Sequence, residues 1–245
     1  MEMSRRTALG AAATAGAAIA LSRAAAAAQP PALALPSTPI AAAAQRLIDT
    51  ALTAPVRNHS IRGFLFGRAL AETQGLRPGA DYDEELMYLI CALHDIGLGD
   101  IANGHQRFEV DGADYAAEFL ERNGLTDGRV DMVWDAIAAH TSGFSDSPVY
   151  RRRRPAAIWI AVDGIGIDIG GGPADLPPGY ADQVHAVYPR LGGSRALTDI
   201  IEAQALADPR KALPGTLPGE VVHQRNPDLP YLTWDEIIDA GGWGD

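Results

Sequence analysis

Apolar residues recur at helical spacing along most of the chain. From Ile40 to Thr53 they follow Ser37 and Thr38, either of which can cap a helix. Pro55 opens a second stretch, in which Val56, Ile61, Phe64, Leu65 and Leu70 fall on one side before Gly75 stops it. A third is capped by Asp81 or Asp83 and runs through Leu86, Leu89, Ile90 and Leu93 to His94-Asp95, ending near Gly97. Gly112 to Asn123 and Asp127 to His140 predict two more helices, the second with Val130, Val133, Trp134 and Ile137 on its apolar face. The polar stretch "TSGFSDSPVYRRRR" then reads as a break. "AAIWIAVDGIGIDIGG", after Pro155, fits a buried strand or a buried helix, and its helical surroundings favour the helix. "LPPGYADQVHAVYPR" and "SRALTDIIEAQALADPR" predict further helices ended by Pro189 and Pro209. The tail from Lys211 is rich in Pro and Gly, with one short amphipathic stretch, "WDEIIDA". No repeat or second domain is visible, and the pattern predicts an all-α helical bundle.

The first 28 residues have a different character. A basic start, an Ala/Gly-rich apolar middle and small residues before Gln29 form the layout of a signal peptide. Ser4-Arg5-Arg6-Thr7-Ala8-Leu9 resembles a twin-arginine export signal. The stretch from Ala8 to Leu21 is too short and glycine-rich to span a membrane well, so no stable insertion is expected after cleavage. The expected organisation is therefore 1–28 signal peptide, 29–39 Pro-rich linker, 40–210 helical bundle and 211–245 C-terminal extension. The expected location is periplasmic or extracellular. Cys91 is the sole cysteine, so an intramolecular disulfide is impossible despite an oxidising destination, and folding before export removes the need for one. Formal net charge is −11, and loss of residues 1–28, with Arg5, Arg6, Arg23 and Glu2, takes it to −13. A protein this acidic is a poor partner for nucleic acid or anionic membrane, which leaves a small-molecule substrate, with homo-oligomerisation open.

Four polar residues interrupt the apolar helices: His59, His94, Asp95 and Asp168. Two imidazoles and two carboxylates suit a divalent transition metal, zinc first, with iron or manganese as alternatives. Neighbours such as His94 and Asp95 lie about 100° apart on a helix, so they converge on one ion only at a helix end. Gly97 and Gly99 predict such an end.

"NHSIR" (58–62), "LHDIGL" (93–98), "RFEVDGADYAAEFL" (107–120) and "AIAAHTS" (136–142) together resemble the HD-domain metalloproteins, in particular their cyanamide-hydratase-like branch. The similarity extends from Arg57 to Arg190 and ends with "DLPPGYADQVHAVYPR". The resemblance implies an all-α HD-domain bundle and a metal held by His59, His94, Asp95 and a distal Asp. Asp163 and Asp168 both fit a DxxG pattern, and the distance to "YPR" favours Asp168. Five helical positions turn about 500°, so the two cannot share a face. The resemblance also places His140 near the metal pocket, to shuttle a proton or orient substrate; the alternative is a histidine favoured by the C-terminal helix dipole. Asn58 is a candidate support for a ligand, and Arg62 faces substrate or pairs with an acidic neighbour. His105, in a loop before "RFEVDGA", is a further candidate, while Glu109 and Asp111 read as acidic groups capping the next helix.

The chemistry so implied is addition of a metal-activated water to a small nitrile-type substrate such as cyanamide, with Asp95 or His140 relaying the proton. Two other classes compete. A phosphohydrolase would use the same ion and give Arg151–Arg154 a phosphate to bind, although such a run is ordinarily a solvated loop. The third is a non-catalytic metal-binding protein.

Overall fold

The computed structural model describes residues 33–243, so the expected signal peptide (1–28) and the first four residues of the expected linker (29–32) lie outside the described residues. Eleven α-helices and several single-turn 3₁₀ segments make up these residues, and the single bridge between Pro78 and Tyr82 is the only β pairing among them. No described helix is long and apolar enough to cross a membrane. The architecture is all-α.

Local chemistry sets most boundaries as the pattern predicts. Helix α1 (Pro39–Ala51) is capped by Thr38, whose hydroxyl accepts from Ala41 N–H. Helix α2 (Ala54–Thr73) has proline in its first turn, and α3 (Glu84–Leu93) is capped by Asp83 rather than Asp81. Every residue from Leu86 to Leu93 is buried, which explains the unbroken apolar run there.

Helix α4 (Phe108–Arg122) begins four residues before Gly112, because Asp111 accepts from Gln106 N–H and so ties down the preceding loop. Helix α5 (Arg129–Ala139) ends at His140. The expected break after it contains a short helix, α6 (Pro148–Arg153), capped by Ser147 with Pro148 at its first position. The arginine run is therefore mostly helical.

Helix α7 (Ala156–Ile169) resolves the ambiguous apolar segment as a helix and packs along α2. Their approach is close because Gly164 faces Gly63 and Gly67: a Cβ at Gly164 would collide with the carbonyl of Gly63 and the backbone of Gly67. Helices α8 (Tyr180–Val187) and α9 (Gly193–Ala207) follow. The tail then contributes α10 (Leu217–Arg225), missed in the sequence, which packs on α9. Lys211, just before it, is buried and donates to Asp111 Oδ2 at 2.6 Å and to the Gln106 carbonyl at 3.0 Å, fastening the tail to the start of α4. The amphipathic stretch forms α11 (Trp234–Ala240).

Candidate metal centre

His94 is the C-cap of α3 and Asp95 the next residue, with φ −103° and ψ 14°, so the chain leaves helical geometry between them and both side chains turn inward. The glycines that follow act through proximity rather than backbone freedom. A Cβ on Gly97 would strike the Phe108 carbonyl, and one on Gly99 would lie 2.7 Å from the Ala51 carbonyl. They let the doublet's turn press against α4 and α1.

Three histidines, His59 and His94 buried and His140 with its side chain largely covered, converge here with the same orientation. His59 Nδ1 faces Asp168 Oδ2 at 2.7 Å, His94 Nδ1 faces the Cys91 carbonyl at 2.8 Å, and His140 Nδ1 faces the Ile137 carbonyl at 2.7 Å. Each oxygen assigns the ring proton to Nδ1 and leaves Nε2 as a lone pair. Those Nε2 atoms gather around Asp95: His94 Nε2 is 3.2 Å and His59 Nε2 3.8 Å from Oδ2, and His140 Nε2 is 3.9 Å from Oδ1. His94 Nε2 and Asp95 Oδ2 are buried without a hydrogen-bond partner.

Atoms that have lost water without gaining a partner destabilise a fold unless a ligand satisfies them. Donors about 2.0–2.2 Å from one divalent ion lie roughly 3.0–3.5 Å apart, the range the His94–Asp95 separation meets and the His59–Asp95 separation nearly meets. One atom from each of His59, His94 and Asp95 lies within 4.8 Å of the others. These residues form a His/His/Asp cluster able to coordinate a divalent metal ion.

Electrostatics agree. Burial pushes the Asp95 carboxyl up, but His94, His59 and His140 outweigh it and hold the group well below the carboxylate range. Burial lowers the His94 basicity, and Asp95 more than reverses this. His140, with burial dominant, is pushed down to about 4.

Asp168 stands apart from this cluster. It lies on the Nδ1 side of the His59 ring, opposite the Nε2 that faces Asp95. Its carboxylate also accepts from Arg62 Nε (2.8 Å) and Nη2 (2.7 Å) and from Arg190 Nη1 (2.8 Å). Burial pushes this carboxyl up, yet the His59 and Arg62 contacts prevail and keep it ionised. The arrangement is a carboxylate holding a histidine whose other nitrogen faces the metal position. Asp163, the alternative distal aspartate, borders the cavity beside the cluster, but both its oxygens accept from Arg151 Nη2, at 3.0 and 2.8 Å. Neither aspartate joins the three donors.

The remaining candidates separate. Arg62 is buried, pairs with Asp168 and donates to the Tyr188 and Pro189 carbonyls, so it does not face substrate. Asn58 is buried and gives its amide to the Pro189 carbonyl at 2.9 Å, fixing the loop that carries Arg190 rather than touching a ligand. His105 is corrected outright. Its side chain is 78% exposed and bound to Asp208 and Arg210, away from the cluster.

Glu109, read as a cap, is fully buried instead. Its Oε1 accepts from Thr141 Oγ1 at 2.8 Å, its Oε2 has no partner, and burial raises its carboxyl. Arg190, Thr141 and Gly166 were also missed as site residues; the "YPR" ending was the one signal pointing to Arg190.

The comparisons with known proteins agree with this geometry. The HD domain family model matches residues 56–162, which contain His59, His94, Asp95 and His140. Two cyanamide hydratases of Saccharomyces cerevisiae, DDI2 and DDI3, are each 36% identical over 92 residues, covering 36% of this chain and 40% of the relative. The matched stretch is thus about two-fifths of those relatives' length. The helical fold, the His/His/Asp donors and the family match together make residues 56–162 similar to an HD domain, and the chain is weakly related to cyanamide-hydratase-like sequences.

Proposed function

We propose that this protein hydrates a nitrile-type substrate at the His59/His94/Asp95 centre, zinc being the ion its N/O donors suit best. Water oxygen bonds to the nitrile carbon, the C≡N bond loses its two π components, and the two water hydrogens end on nitrogen, giving the amide; cyanamide gives urea. The observation that carries the proposal is the set of unpartnered buried donors, His94 Nε2 and Asp95 Oδ2, at the end of an apolar cavity. A divalent ion held there supplies, when bound, an acidified water near neutral pH and a Lewis acid.

The chain's own groups do the rest. His140 Nε2, carrying no proton while Nδ1 donates to Ile137, is placed to take the proton that water loses and deliver it to nitrogen. Asp168, through Nδ1, fixes the tautomer and ring plane of His59. Phe108 packs its ring edgewise on His140, with centroids 5.8 Å apart, and helps exclude bulk water.

A phosphohydrolase would need cations to neutralise an ester phosphate, and no Lys or Arg is among the residues lining this cavity. Arg151 is engaged with Asp163. The deciding experiment loads purified protein with zinc, manganese or iron and follows amide or urea formation from cyanamide and simple nitriles. Loss of turnover on chelation and in His94→Ala is expected. Absence of amide from every nitrile would sink the proposal. Export belongs to the same proposal, supported by the Ser4–Leu9 motif; Arg5→Lys with Arg6→Lys should retain a tagged protein in the cytoplasm.

A further inference from the structure

The cavity beside the cluster has a volume of about 600 Å³. A molecule of three heavy atoms, such as cyanamide, fills on the order of 100 Å³ or less, scaling from about 30 Å³ per water. Space of this size belongs to ligands with a substantial body. Away from the donors its wall is mainly apolar, with Ile165 of α7, Leu197 and Ile201 of α9, and Leu217 and Val221 of α10. Its charged lining groups are all aspartates: Asp95, Asp146, Asp163 and Asp175.

A second, independent observation concerns "DGIGIDIG", which holds two mid-helix glycines for two different reasons. Gly164 is required by contact with α2, whereas a Cβ on Gly166 would meet nothing within 4 Å, although Gly166 borders the cavity. Glycine inside a helix is unfavourable relative to alanine. Here no packing demands it, and its bare, exposed face lies at the border of the cavity.

We infer that the substrate is a neutral molecule with an apolar body of several carbons, lodged between Gly166 of α7 and the Leu197/Ile201 face of α9, with its reacting head at the metal centre. This rests on the hydration chemistry proposed above and names its substrate class: aliphatic or aryl-alkyl nitriles rather than cyanamide itself. Water cannot stay favourably against such walls, so each added methylene replaces poorly satisfied water and strengthens binding. Along the body of the cavity no Lys or Arg is among the lining residues to pair with an anion, and two of the four aspartates are already engaged, Asp95 in the cluster and Asp163 with Arg151.

The test has two arms. In the first, metal-loaded protein is given the straight-chain nitriles from acetonitrile to hexanenitrile. KM should fall by up to about fourfold per methylene, so that hexanenitrile exceeds acetonitrile at least tenfold in kcat/KM. In the second, calorimetry follows binding of acetamide, hexanamide, hexyl phosphate and hexylammonium to metal-free and zinc-loaded protein, with no turnover involved. Hexanamide should bind at least tenfold more tightly than acetamide in both forms and, in the metal-free form, more tightly than either charged hexyl compound. Gly166→Leu, which places a branched side chain into the open space, should reduce the hexanamide-to-acetamide ratio at least tenfold.

Equal binding of the two amides overturns the inference, as does tighter binding of hexyl phosphate or hexylammonium to the metal-free protein. A chain-length preference unchanged in Gly166→Leu overturns the placement at α7. If no nitrile is hydrated but hexanamide still shows the preference, the hydration chemistry fails and the apolar substrate class stands.

Discussion

Asp95 presents its two oxygens to different histidines, Oδ2 to His94 and His59 and Oδ1 to His140. Asp168 instead spends its whole carboxylate on His59, Arg62 and Arg190. The two aspartates therefore respond differently to the same isosteric change. Asp95→Asn removes a donor from the cluster and should abolish stoichiometric metal binding. Asp168→Asn leaves the cluster complete but weakens the grip on His59, so metal affinity should fall by about 10–100-fold rather than vanish. It also leaves two guanidinium groups short of their counter-charge, one fully buried, at a cost of about 3–5 kcal/mol. Competition against a chelator and urea unfolding measure the two effects; loss of binding in Asp168→Asn equal to that in Asp95→Asn would make Asp168 a ligand after all.

Glu109 gives a prediction with a definite pH sign. Burial raises its carboxyl above the ordinary value, so folding favours its protonated form. A raised carboxyl contributes stability below the unfolded value, and that contribution is lost as pH rises through the folded one. Glu109→Gln keeps an oxygen for Thr141 and cannot ionise, so its stability relative to wild type should improve from pH 4 to pH 8. Urea unfolding at those two pH values checks the trend, and an opposite trend would show that the ionised form is the favoured one.

At the scale of elements, α7 does two jobs that its sequence states in one alphabet. Its Gly164 side meets α2 at backbone distance, while its Gly166 side borders the cavity. Gly164→Ala should destabilise the protein by several kcal/mol, because both helices must move apart. Gly166→Ala should stabilise it by about 0.5–1 kcal/mol through helix propensity alone. Thermal unfolding of the two variants distinguishes packing from space-making, and destabilisation in Gly166→Ala would show a contact there. The tail is an element in the same sense. Lys211 ties it to Asp111 on α4, so α10 can supply Leu217 and Val221 to the cavity. A sequence rich in Pro and Gly gave no periodic signal for α10, whose two apolar neighbours Val221 and Val222 sit among polar residues. What makes it a helix is packing against α9 together with a Thr216 cap.

At the scale of the whole molecule, the metal centre joins segments far apart in sequence: α2 brings His59, the end of α3 brings His94 and Asp95, and the end of α5 brings His140. An ion bound there stabilises the native state alone, since the unfolded chain does not hold these donors together. Zinc in hundredfold excess over its dissociation constant should add about 2.7 kcal/mol of unfolding free energy, and chelation should reverse it. An unchanged melting temperature on adding zinc, manganese or iron would speak against a metal centre.

The periodic apolar pattern by itself determined the all-α class, most helix positions and the His94-Asp95 doublet at a helix end, because burial of a helix face and capping are local demands written in nearby residues. The motifs and their order likewise pointed to the HD domain and to His59. The tertiary structure decided what local patterns cannot encode. It turned Asp168 to the outer side of His59, gave Arg62 to a carboxylate, sent His105 to the surface and buried Glu109. Each outcome depends on which residues from distant segments compete for the same buried polar atom, and that competition exists only once the helices pack.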